Sequence, residues 1–176
     1  MPRLPEIFER DKLPEGKREV YDYLMKARGK ISNGYATLLH SPEFVARVSH
    51  LGSYLRFESS LPAKTKELLA FATSVEMDNP YEEANHIRAA ADLGVSQSTI
   101  DAVKNKSDLH GASDEEAIII LCVRELTRGH QLSDSTFKTA HTLLGNQAVI
   151  ELVGTIGFYS MLACVHNAMQ VRLNPP

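Results

Sequence analysis

The chain has 176 residues, 43% of them hydrophobic and 23% charged, and its formal net charge of −3 is spread without long blocks of one sign. This is enough chain for one domain that buries roughly two thirds of its extended surface without a disulfide staple. The balance excludes a clustered basic face for a nucleic-acid backbone, and the longest uncharged apolar stretch, residues 152–165, has 14 residues where a membrane span needs about 20.

The first segment, MPRLPEIFERDKLPEG, carries charges and prolines where a secretory signal needs an apolar core. Residues 1–13 therefore read as an extended arm, and residues 14–176 as a single helical domain. PEGKREVYDYLMKAR sets Val20, Tyr23, Leu24 and Ala27 on one helical face, with Gly29 as its end. A loop containing Asn33 and Gly34 and a short turn to His40 follow. Ser41 and Pro42 then supply an N-cap and a first-turn proline for a helix to about Arg56.

Pro62 opens the next helix, with Leu68, Leu69, Ala72 and Val75 as its apolar face, and Asp78, Asn79 and Pro80 interrupt it. The chain should reverse there and start a new helix at Tyr81 that stops at Gly94, a left-handed C-cap. Ser96 opens a short helix to about Lys104. Ser113 and Glu116 form a capping box for one ending near Gly129. Ser133 starts a helix to Leu144, and the most apolar helix follows Gly145. No period-two run and no Gly-rich phosphate loop occurs, so the fold class is all-α. Cys122 and Cys164 each lie in apolar runs and read as small buried hydrophobes in a reducing cytosol.

The chemistry-bearing residues crowd into NPYEEANHIRAA, residues 79–90. On a helix Glu82 and His86 share a face at i and i+4. If the preceding helix folds back at Asp78 and Asn79, Glu67 comes level with His86 to within roughly 4 to 5 Å along the axis. Two carboxylates and an imidazole in a partly apolar pocket make a proton relay suited to acid–base work on a carbon acid or lactone, with no metal and no cofactor. A solvated helix face is the commoner fate of such residues, and spacing alone leaves both readings open. Glu83 and His86 also form the E-x-x-H ligand pair of di-iron bundles, but those use the pair twice, and no other histidine here has a glutamate three residues before it. Arg56, just before the Glu67 helix, could clamp a substrate carboxylate or pair with Glu58.

The runs LPAKTKEL (61–68), NPYEEANH (79–86) and ADLGVS (91–96) together resemble the carboxymuconolactone decarboxylase family of the alkylhydroperoxidase D-like superfamily, and the resemblance extends over most of the chain. It implies an all-helical fold with a central antiparallel hairpin, assembled as a homo-oligomer, a trimer or hexamer. The superfamily's peroxidases carry a glutamate, a C-x-x-C pair and a histidine. Glu67 and His86 match the glutamate and histidine, while Asn79 and Glu82 stand at the two cysteine positions. Without the redox thiols, thiol peroxidase chemistry is disfavoured. The resemblance then implies a cofactor-free decarboxylase or isomerase acting on a small substrate, with His86 moving the proton, Glu67 and Glu82 orienting it, and Tyr81 near the mouth. A weakly active helical binding or assembly protein is the alternative.

Overall fold

A computed structural model describes residues 1–173, and among these every regular element is helical. Their contacts divide into two units, Met1–Glu58 with the chain from Val165 on, and Ser59–Cys164. No composition change marks this division. One boundary falls between consecutive residues at Glu58 and Ser59, and the other falls inside a helix.

The first unit holds α1 (Glu19–Arg28), α2 (Asn33–Leu38) and α3 (Pro42–Ser53). The arm runs through a single 3-10 turn, Arg10–Lys12, and is tied by Arg3 N–H to Met169 O (2.9 Å) and by Ile7 N–H to Ala36 O (3.0 Å). Gly29 ends α1 with φ 73°, the left-handed geometry that glycine adopts at least cost. The expected loop at Asn33 and Gly34 is instead the start of α2. Ser32 caps it by accepting from Tyr35 N–H, and burial of Ala36 and Leu38 outweighs the poor helix propensity of Asn-Gly. Nor does α3 reach Arg56. After Gly52 and Ser53, a weak pair of helix formers, the backbone widens into a π-helical turn, Tyr54–Glu58.

The second unit contains α4 (Ala63–Glu76), α5 (Pro80–Asp92), α6 (Gln97–Lys104), α7 (Asp114–Gly129) and most of α8 (Asp134–Met169). Every residue of α4 from Leu68 to Val75 is buried, so this helix is enclosed all round, where its sequence pattern had suggested one apolar face. It packs against α5 and α7, and Phe71, Leu68 and Leu69 meet Ile119, Ile120 and Val123 in one core with Leu152 of α8. Glu151 of α8 is buried and accepts from Ser60 N–H (2.8 Å) and Ser60 Oγ (2.6 Å), which fixes the approach to α4.

Helix α8 breaks at Gly145, whose φ of 77° and ψ of 179° are not helical. By length and composition α8 could cross a membrane, which the 14-residue uncharged stretch did not suggest. One of its faces, with Ala148, Val149, Leu152 and Ile156, is part of the core.

Candidate active site

The turn between α4 and α5 is short and strongly specified. Asp78 takes φ 48°, Asn79 N–H returns to Ser74 O (2.8 Å), and Pro80 supplies the pre-set φ of a first helical residue. Asn79 caps α5 by accepting from Glu82 N–H at 3.4 Å. From there Asn79, Glu82, His86 and Ala90 recur at three- and four-residue steps, and all four are buried. They form one stripe along α5.

Across the hairpin α4 contributes Glu67. His86 Nδ1–H donates to Glu67 Oε2 at 2.6 Å, and Nε2 faces Glu82 Oε2 at 3.3 Å. The axial estimate made from residue counts is thus realised as a direct contact. The imidazole is 4% exposed, and the flanking carboxylates are 12% (Glu67) and 10% (Glu82) exposed. Burial opposes charge on the ring, but the hydrogen bonds it donates to Glu67 and Glu82 and their negative charges outweigh it, so the His86 pKa is raised above its ordinary value. In the charged form both ring nitrogens donate, one to each acid. The arrangement can store a proton, keep it out of bulk water, and pass it along a carboxylate–imidazole–carboxylate line.

One aromatic residue completes the surroundings without having stood out in the sequence. Tyr159 of α8 lies edge-on to the imidazole, with centroids 5.0 Å apart and planes at 86°, and Phe158 packs edge-on against Tyr159 in turn. Tyr159 is the one polar-tipped ring in the apolar run GFYSMLACV, the only local signal it carried. The other expected site residues stand as follows. Tyr81, expected near the mouth, is itself buried in the first turn of α5. Arg56 is exposed in the π-helical turn of the first unit, with its guanidinium over the Phe57 ring at 5.6 Å.

Among the described residues, no group of three or more His, Cys, Asp or Glu side chains is arranged to hold a metal ion. The cysteines offer no thiolate pair at the hairpin. Cys122 is buried in α7, where burial and the charge of Glu125 push its thiol up to about 11. Cys164 is exposed, contrary to the expected burial of both, because it lies on the outward side of α8.

The model of the carboxymuconolactone decarboxylase family matches residues 42–117, which include α4, its turn and α5. No curated protein matches the sequence. Among solved structures, the chain is similar to an alkylhydroperoxidase AhpD core protein from Ralstonia eutropha, an uncharacterised peroxidase-related protein, with 17% identity, a TM-score of 0.78, and coverage of 98% of this chain and 92% of that one. An uncharacterised peroxidase-related protein from Silicibacter sp. aligns over the same shares of the two chains at 16% identity with a TM-score of 0.75. A protein of unknown function from Agrobacterium tumefaciens aligns over 78% of this chain and 94% of its own at 15% identity, with a TM-score of 0.69. At these identities the structures speak for the fold, and the family match speaks for the hairpin that carries Glu67, Glu82 and His86. Residues 42–117 are thus similar to the carboxymuconolactone decarboxylase family, and the fold is the one seen in the alkylhydroperoxidase D-like structures.

Proposed function

We propose that the protein is a cofactor-free carboxy-lyase or isomerase of the carboxymuconolactone decarboxylase type, acting on a small carboxylated lactone or unsaturated acid. The observation that carries this reading is the buried imidazole held between two carboxylates, at 2.6 Å from Glu67 and 3.3 Å from Glu82. In a decarboxylation the carbon–carboxylate bond breaks, its electron pair enters the conjugated carbonyl, and CO₂ leaves. The far carbon then takes a proton. Glu67, in the shorter contact, keeps the imidazole charged and oriented. The longer contact to Glu82 is the one that opens, so the proton leaves from the Nε2 end. The substrate's own carbonyl is the electron sink, and no cofactor enters the step. A reducing cytosol suits chemistry that needs no disulfide, and we propose that the protein works there as a homo-oligomer, a trimer or hexamer.

The test is CO₂ release from a panel of carboxylated lactones with purified protein. His86→Gln is expected to lower turnover by about a hundredfold or more, the usual weight of a positioned acid–base group, with the oligomer unchanged. Undiminished turnover in that variant overturns the proposal. One observation favours a second reading, a small-molecule binder without efficient turnover: both ring nitrogens already have partners, and the imidazole is nearly closed to solvent. Equal ligand affinity in wild type and His86→Gln, with turnover in neither, would select it.

A further inference from the structure

The buried stripe of α5 begins with a side chain that the acid–base reading leaves unused. Asn79 is 1% exposed, and its orientation is set by its neighbour. Glu82 N–H can only donate, so the atom facing it at 3.4 Å must be the carboxamide oxygen. The carboxamide is planar, so Nδ2 is held at the same end of α5. Among the described residues Nδ2 has no hydrogen-bond partner. A buried donor without an acceptor is costly and uncommon in a native fold, and it calls for an explanation.

Three features bear on what that nitrogen is for. Asn79, Glu82 and His86 stand at i, i+3 and i+7, so the donor shares a face with the proton relay. It also sits at the N-terminus of a 13-residue helix, where the aligned peptide dipoles favour an oxygen gaining negative charge. Being neutral, it adds no further charge to a cluster that already has two carboxylates. Thr73 Oγ1 of α4 is likewise buried without a partner, but it lies six residues past Glu67, on a different face of α4 from the relay.

We propose that Asn79 Nδ2 is a ligand-binding donor that holds the carbonyl oxygen of the reacting lactone or conjugated acid, the oxygen that becomes an enolate as CO₂ leaves. This rests on the acid–base reading of the same site. The pair released from the carbon–carboxylate bond passes into the conjugated carbonyl. Its oxygen accepts from Asn79 while the charge lasts. The far carbon then takes a proton from the relay, and the relay regains one from water. Because the donor is closed to bulk water together with the imidazole, the oxygen it holds is buried with it, where such a bond has most effect on the transition state.

Asn79→Ser and Asn79→Asp test this, because both keep an oxygen that can cap Glu82 N–H and both remove the Nδ2 donor. With a carboxylated lactone as substrate, kcat is expected to fall about a hundredfold with a smaller change in KM, as for loss of one donor to a developing oxyanion. The thermal midpoint of Asn79→Ser should stay close to that of wild type. In the native protein, the side-chain amide NMR signal of Asn79 should move when the non-decarboxylating probe γ-butyrolactone-γ-carboxylate is added, a readout that needs no variant. Wild-type kcat in folded Asn79→Ser, or an Asn79 signal that ignores the bound probe, overturns the assignment. If turnover is lost in His86→Gln but kept in Asn79→Ser, only the Asn79 assignment fails. Turnover kept in His86→Gln removes the acid–base reading, and a wild type that neither binds the probe nor turns over any lactone removes both.

Discussion

A histidine between two carboxylates is a statement about stability as well as chemistry. Burial works against the charged ring of His86, but Glu67 and Glu82 outweigh it and leave the native pKa above the ordinary 6.5. Between those two values the native state binds a proton that the unfolded chain has released. The stabilisation is therefore present in full below about pH 6.5 and is lost as the pH rises through the native value. The thermal midpoint of wild type, compared with His86→Gln, should fall across that window. A difference that stays constant with pH would contradict the assignment. Of the residues involved, Glu67, Glu82 and His86 were legible in the sequence because their meeting depends only on helical periodicity and one short turn. Tyr159 was not, because its approach to His86 depends on how α8 packs, and no local pattern encodes that.

At the scale of elements, the best-specified helix start is that of α7. Ser113 Oγ accepts from Glu116 N–H (3.2 Å) and the Glu116 carboxylate accepts from Ser113 N–H (3.3 Å). Glu116 also accepts from Thr99 Oγ1 (2.7 Å) and pairs with Lys64 (2.7 Å), which joins α4, α6 and α7. Ser113→Ala should cost about 1 kcal/mol in chemical denaturation, the usual weight of an N-cap. No measurable loss would mean that the Lys64 and Thr99 contacts fix this helix start without the cap. Phe71→Ala, in the fully enclosed α4, should cost about 3 to 5 kcal/mol by the same measurement. Caps and turns were readable because they are local chemistry: Ser96, Ser113, Asn79 with Pro80, Gly29 and Gly94 all stand where the sequence suggested. The misses were places where tertiary packing overrode local preference. Buried Ala36 and Leu38 draw Asn33 and Gly34 into α2, and α4 is enclosed on faces where small residues such as Ala70, Thr73 and Ser74 gave no amphipathic signal.

At the scale of the molecule, the feature that a single chain leaves unexplained is the outward side of α8 in the second unit. Ile150 is 72% exposed, Val153 is exposed beside it, and a Cβ added at Gly154 or Gly157 would meet nothing within 4 Å. An isolated helix would be about 1 kcal/mol more stable with alanine at each glycine, so the two glycines make sense where another backbone comes close. The proposed homo-oligomer supplies such a neighbour through a self-complementary or ring-closing contact of this face. Ile150→Glu should lower the mass measured by light scattering to that of a single chain, with helicity retained. An unchanged assembly would place the contact elsewhere.

The central claim, that α4 and α5 hold a buried imidazole in its charged form between two acids, is tested most directly by a nitrogen NMR titration of the His86 ring in the native protein. Both ring nitrogens are expected to stay protonated above the ordinary histidine value of 6.5, and Glu67→Gln or Glu82→Gln should bring the midpoint down. A midpoint at or below that value, indifferent to both substitutions, would contradict it.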